Sequence, residues 1–188
     1  MRIGVSGHRF LADLDKLNAG VNQALDLIEG AFTGKDLTVL SSLAEGADRL
    51  VARHVLDRPG GRLVVPLPLA EEDYIEDFTD PASRREFAGL LARAASVVTL
   101  PDAPTRDAAY QAAGEYIAQH CDVLLALWDG QCAQGQGGTA GVVAQVRGQG
   151  KPIVIVRAGN RRPGTQEPTS LGPEQGRVIA ERMPERGA

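Results

Sequence analysis

The sequence predicts an α/β domain of Rossmann-like, three-layer α/β/α build, with a mainly parallel sheet of about six strands. Three observations carry this expectation. Short runs rich in Val, Ile and Leu recur along the chain, separated by longer stretches with helical spacing. Two of the runs, Val123–Trp128 and Ile153–Val156, are apolar at every position, as in strands covered on both faces. Hydrophobic residues reach 43% while aromatics are only 4%, so the core is aliphatic.

The strands are expected at Arg2–Ser6, Leu37–Ser42, Arg62–Leu67, Ser96–Leu100, Asp122–Trp128 and Pro152–Arg157. The first helix, Leu14–Glu29, sets Leu14, Leu17, Val21, Leu25 and Ile28 at steps of three and four, which line one face. Glu45–Leu56 repeats the pattern through Leu50, Val51 and Val55. Ser83–Ala95, Arg106–Gln119 and Thr139–Gln149 follow, with a shorter acidic helix at Glu71–Phe78. Strand and helix alternate, which implies right-handed crossovers between parallel strands. Residues 1–158 form the domain. Residues 159–188, dense in Gly, Pro and polar residues, read as a loop or mobile extension with a short helix at Arg177–Arg182.

The bulk properties narrow the function classes. A chain of 188 residues suits one ordinary domain. A net charge of -4 and a pI of about 5.4 make nucleic acid an unfavoured partner. Cys121 and Cys132 are too few for a disulfide scaffold, and no His/Cys group has zinc spacing. The opening MRIGVSGHRF has no signal-peptide apolar region, and no run reaches membrane-span length. The expectation is a cytoplasmic protein with reduced thiols, no metal and no membrane partner.

Ligands of open parallel sheets bind beyond the C-terminal ends of the strands, so the residues after each strand matter most. After the first strand come Ser6, Gly7, His8 and Arg9, a tight turn with donors for an anion. After the second come Ser41, Ser42, Leu43, Ala44, Glu45, Gly46, Ala47 and Asp48. There Ser41 or Ser42 caps the next helix, and Asp48 either accepts from a ribose hydroxyl or complements the helix dipole. After the fifth come Asp129 and Gly130, then Gly135, Gln136, Gly137, Gly138, Thr139, Ala140 and Gly141. These glycines open a helix whose free N–H groups favour a phosphate, with Thr139 as cap or donor. The segment is not a Walker loop, since no Lys-Ser/Thr pair follows. Trp128 either stacks on a base or fills the sheet edge. Glu71–Phe78 reads as a lid, and Asp73, Glu76 and Asp77 as its solvated acidic face.

The order of these motifs resembles the SLOG superfamily. That group includes the LONELY GUY cytokinin-activating proteins and the DNA-processing protein A family. The quoted motifs are Ile3 to Arg9, Ser41 to Arg49, Leu127 to Gly130 and Gly137 to Ala140. The resemblance implies a Rossmann-like sheet whose Gly-rich loop and helix hold a nucleotide-derived phosphate. LONELY GUY enzymes carry a GGxGTxxE pattern whose Glu takes part in glycosidic cleavage. Aligned on Gly138 and Thr139, this chain has Gly135 and Gln136 at the leading glycines and Val142 at the Glu. Valine cannot polarise water or stabilise an oxocarbenium ion.

The leading expectation is therefore a binding or sensing domain for a nucleotide such as AMP or ADP-ribose, with no required cofactor. Its ligand-binding set is Ser6, Gly7, His8, Arg9, Ser42, Glu45, Gly46, Asp129, Gly130, Gly137, Gly138 and Thr139. The alternative is a nucleoside-phosphate N-glycosidase or deoxyribosyltransferase-like enzyme, with Glu45 and Asp129 as an acid/base pair. Single-stranded DNA binding is a third reading, opposed by the charge and the scarcity of aromatics. Assembly as a homo-oligomer through helices stays open.

Overall fold

The structure is a computed structural model that describes residues 1–131 and 138–184. Strands and helices alternate as β1 (Arg2–Gly7), α1 (Leu14–Ala31), β2 (Thr38–Leu40), α2 (Ala47–Leu56), β3 (Arg62–Leu67), α3 (Glu71–Tyr74), α4 (Pro81–Leu91), β4 (Ser96–Thr99), α5 (Arg106–His120), β5 (Val123–Trp128), α6 (Gly138–Gly148), β6 (Ile153–Arg157) and β7 (Val178–Glu181). A 3-10 turn at Ile75–Asp77 continues α3. Two helix starts follow directly from local chemistry. Asp80 accepts from the Ala82 N–H with Pro81 at the first helical position, and Thr105 accepts from the Ala108 N–H.

The strands form one sheet in the order β4-β3-β2-β1-β5-β6-β7. The first six run parallel, as expected from the alternation. The chain steps outward from β1 to β4, then α5 carries it back to β5 on the other side of β1. The strand order thus reverses between β1 and β5, the place where ligands of open parallel sheets bind.

One apolar cluster fills the α1, α2 and α4 side of the sheet, with Leu17, Val21, Val51 and Phe87 among its members. The other lies under α5 and α6 and includes Ile117, Leu124, Val143 and Ile153. The core is aliphatic apart from buried Trp128 and one knot, where Tyr74 meets Phe78 and Phe87 edge-on at 5.2 and 5.6 Å. Among the described residues, no helix is long and apolar enough to cross a membrane.

The helix expected at Arg177–Arg182 is instead β7, a seventh strand antiparallel to β6 with Ile179 opposite Ile155. β-Branched Val178 and Ile179 suit a strand, and β6 offers an open edge to pair with. Nor is the preceding segment a free extension over its described part. The buried Gln175 amide donates to the Ala12 carbonyl at 2.8 Å. It accepts from the N–H groups of Gly159 at 2.9 Å and Leu171 at 3.1 Å. Gly20 of α1 lies against the Gly176 carbonyl, where a Cβ would come within 2.3 Å of the oxygen. The Gly-rich composition here serves close backbone contact, which mimics the composition of a loop.

Replacing Gln175 with Ala leaves these buried backbone groups unpaired. The expected cost is about 1–3 kcal/mol, read as a lower urea midpoint.

Candidate functional site

The expected ligand residues gather at the C-terminal edge of the sheet on three loops, but they fall into separate networks. The first network spans β1 and β5. The backbone N–H of His8 donates to the Leu127 carbonyl at 3.2 Å. The His8 Nε2 accepts from the Asp129 N–H at 3.2 Å and stands 3.5 Å from the Asp129 carboxylate. Burial holds the imidazole below its usual titration range, although Asp129 opposes that shift. A neutral ring with its proton on Nδ1 fits the accepting Nε2. Asp129 also accepts from the Gln131 N–H at 2.9 Å, which turns the chain out of β5. Arg157 closes this corner by donating to the Asp129 carbonyl at 2.5 Å. Gly130 has φ +83, and a Cβ there would meet the Arg157 guanidinium at 2.6 Å.

The second network lies at the β2–α2 turn. Gly7, read from sequence as a place for a ligand to approach, admits protein instead, and at Gly46, read as open to another backbone or a ligand, it is the backbone that approaches. A Cβ on Gly7 would sit 2.3 Å from the Ala47 Cβ. Gly46 has φ +78, and a Cβ there would lie 2.3 Å from the Arg9 carbonyl oxygen. Neither Ser41 nor Ser42 caps α2, whose cap position is Gly46. Ser41 Oγ accepts from the Leu43 N–H at 3.1 Å and donates to the Asp48 carbonyl at 3.3 Å. It thus ties the turn to the helix it precedes. Ser42 is buried, and its hydroxyl has no partner.

Glu45 accepts from the Ser83 hydroxyl of α4 at 2.5 Å. Its neighbour Arg49 is 2% exposed, so its charge must be met inside the protein. Arg49 donates to the Leu43 carbonyl at 3.0 Å, to Ser83 Oγ at 2.8 Å and to Glu86 at 3.1 Å. Its guanidinium also lies 4.4 Å from the Phe78 ring centroid. Glu45 therefore belongs to the cross-link between the turn and α4. Glu45 and Asp129, the acid/base pair of the alternative reading, are held by separate hydrogen bonds. Each carboxylate is engaged on its own side of β1.

The third group was not assembled by sequence reasoning. Asp48 is 7% exposed, and among the described residues it makes no salt bridge. Burial pushes its carboxyl up to about 6, against the pull of the Ser41 hydroxyl, the Ala44 and Ser42 N–H groups and the Arg9 charge. Buried Tyr74 is pushed upward by burial and then by the charge of Asp48. The Tyr110 hydroxyl donates to Asp77, and burial together with Asp77 pushes the phenol up to about 12. Arg106 stands 3.4 Å from Asp77 and donates to the Asp73 carbonyl at 3.0 Å. The acidic face expected at Asp73, Glu76 and Asp77 is thus not uniformly solvated. Asp77 turns inward to α5 because a phenol and a guanidinium meet it there.

At the start of α6, a Cβ built on Gly138 or Gly141 meets no atom of the described residues within 4 Å. A cavity of about 120 Å³ lies between α5 and α6, lined by Tyr110, Gly114, Gly138, Gly141 and Val142 among others. Gly138 has φ +77, which favours glycine in its own right. Val142 packs against α5, 2.9 Å from where a Cβ of Gly114 would stand. Gly137 lies outside the described residues. Trp128 is buried under α6 with the Arg147 guanidinium 5.6 Å from its ring, so it fills the sheet face.

Two predictions follow from this geometry. Gly46→Ala is expected to cost about 1–3 kcal/mol through backbone strain, whereas Gly141→Ala is neutral or stabilising by about 0.5–1 kcal/mol; paired denaturation curves check both. The second concerns pH. Folded Asp48 keeps its proton up to about 6, while the unfolded side chain releases it near 3.8. Rising pH through that window therefore removes stability. The melting temperature of Asp48→Asn, relative to the parent chain, should rise from pH about 4 to about 7. His8 and His54, both shifted down, work in the opposite sense but are common to both proteins and cancel. A flat difference would contradict the buried charge.

No protein-family model and no curated protein matches the sequence. Solved structures do. DNA processing protein A (DprA) from Streptococcus pneumoniae aligns with a TM-score of 0.53 at 17% identity, over 81% of this chain and 48% of that chain. TM1055 aligns with a TM-score of 0.47 at 18% identity, over 81% of this chain and 71% of that one. The chain thus spans about half the length of DprA. What it shares with that protein is a Rossmann-like fold.

Proposed function

We propose that the chain binds a phosphate-bearing nucleotide or nucleotide-derived small molecule, such as AMP or ADP-ribose, and does so as a binding or sensing domain without turnover. The observation that carries this reading is the space left free by the described residues at the first turn of α6, beside the strand-order reversal between β1 and β5. Helix N–H groups and a Cβ-free surface at Gly138 and Gly141 suit a phosphate. Thr139 supplies a hydroxyl, and the exposed Arg9 supplies a cation from the neighbouring turn. In this reading Ser6, His8 and Gly130, at the ends of β1 and β5, lie around the bound molecule.

Three features of the carboxylates support a reading without turnover. Val142 replaces the Glu of the LONELY GUY pattern, Glu45 is held by Ser83, and Asp129 is held at its own turn. One observation favours a second reading, a nucleoside-phosphate N-glycosidase: Asp48 is a buried carboxyl that keeps its proton up to about 6, as a general acid does. DprA is by name a DNA processing protein, but a net charge of -4 argues against transferring that partner to this chain. A cytoplasmic setting is part of the proposal, in keeping with the buried free thiol of Cys121.

The test is a thermal-shift series with AMP, ADP-ribose, cyclic nucleotides, NAD and inorganic phosphate, followed by chromatography of each mixture. A ligand at 100 times its Kd adds about 2.7 kcal/mol of stability. A shift with the nucleotide recovered intact supports a sensing domain, and Arg9→Ala should then reduce the shift for anionic ligands. Recovery of free base and ribose phosphate supports the glycosidase. No shift with any of them overturns both.

A further inference from the structure

We infer that two copies of this chain pair through β4, antiparallel about a two-fold axis, so that their sheets join into one continuous sheet.

β4 ends the sheet and has a neighbour, β3, on one side only. Alternate backbone N–H and C=O groups along Ser96–Thr99 therefore point away from β3, where no strand among the described residues meets them. The side chains are open as well. Ser96, Val97 and Thr99 are exposed, and Val97, at 46%, is one of three large apolar side chains exposed among the described residues. An open sheet has two edges, and here the other one is guarded. β7 ends in Glu181, which Arg147 meets at 2.7 Å, and Arg177 and Arg182 flank the strand. Charges of this kind keep an edge from pairing. β4 lacks that guard: between Glu86 and Asp102 the only charged residue is Arg93, in a chain that is 23% charged. The end of α4 that leads into β4 exposes Ala88, Gly89 and Ala92, small residues that let a second backbone come close.

Charge identifies the occupant as a second copy. Arg93 precedes β4 and Asp102 follows it, so the strand carries a cation at one end and an anion at the other. Arg93 makes only long contacts within the chain, 3.4 Å to the Leu56 carbonyl and 3.5 Å to Asp57. Asp102 is exposed. An antiparallel copy brings the Arg93 end of one strand to the Asp102 end of the other. With the axis at Val97, that side chain faces its own copy and Ser96 faces Val98, uncharged cross-strand pairs that suit a sheet. A two-fold contact must be self-complementary, and this strand is so in both charge and apolar surface. The paired stretch is four residues a side, so association is weak and grows with concentration. β3, β2 and β1 separate β4 from β5, so the nucleotide reading does not depend on this pairing.

Sedimentation of the intact chain over a concentration series tests the pairing. The parent chain should approach twice the monomer mass. Val97→Lys sets two ammonium groups against each other at the axis and should weaken the dimer about tenfold or more. Val97 is exposed, so this variant should melt close to the parent. Arg93→Asp and Asp102→Arg should each weaken the dimer, and the two together should restore it, which damage to the fold would not do. A chain still monomeric at about 1 mM leaves the edge to a strand of another protein and overturns the self-pairing. A dimer that Val97→Lys leaves intact, or charge reversals that do not restore one another, overturn it as well.

Discussion

The rest of the site depends on how closely the β1 turn and the start of α2 approach each other. Gly7 lies against Ala47, and Gly46 lies against the carbonyls of His8 and Arg9. No side chain fits between them. The Ala47 N–H also donates to the His8 carbonyl at 3.1 Å, so the first turn of α2 is anchored on the loop after β1. Once that contact is made, the direction of α2 is set. Asp48 and Arg49 then fall into the interior, because the helix has no room to rotate them outward. The buried charge of Arg49 brings in Glu86 and Ser83 of α4, and Ser83 in turn fixes Glu45. One backbone contact thus orders a chain of polar groups across three elements.

Much of the architecture was legible because apolar period and chain polarity report it directly. Val123–Trp128 is fully buried, as an unbroken apolar run in a parallel sheet must be. The helix pattern at Leu17, Val21, Leu25 and Ile28 is buried in full, while Leu14 at the start of the same series is half exposed. What failed was the reading of glycine. A glycine before a helix signals close approach, but not what approaches. At Gly7 and Gly46 it is another backbone, whereas at Gly141 there is open space. The tail failed for the same reason, since the glycines at 20 and 176 mark a contact 156 residues apart along the chain. Local pattern carries no information about so distant a partner.

The site residues that sequence reasoning missed share a property. Tyr74 and Asp77 come from the segment of α3 and the turn after it, and Arg106 and Tyr110 from α5, which meet through contacts of Asp73 and Asp77 with Arg106 and Tyr110. Nothing in their spacing announces that meeting. Composition carried only a partial signal: in a chain with 4% aromatic residues Tyr110 is a rare phenol, and the acidic run that holds its partner Asp77 lies 33 residues earlier. In an aliphatic protein, a tyrosine needs a polar partner for its hydroxyl, and the acidic run supplies one.

The position of β1 has a consequence for how the chain acquires its shape. β1 lies at the middle of the sheet and pairs with β2 on one side, Ile3 opposite Val39. On its other side it waits for β5, Ile3 opposite Val123. Half of the sheet can therefore assemble from neighbours in sequence, while β1 keeps one flank unpaired until more than a hundred residues further along the chain have arrived. Pairings of such long range are slow to form and leave a strand edge open to wrong partners meanwhile. The hydrogen bond from Asp129 to His8 crosses this late seam. Any molecule seated there would hold together the two halves of the sheet that are last to meet.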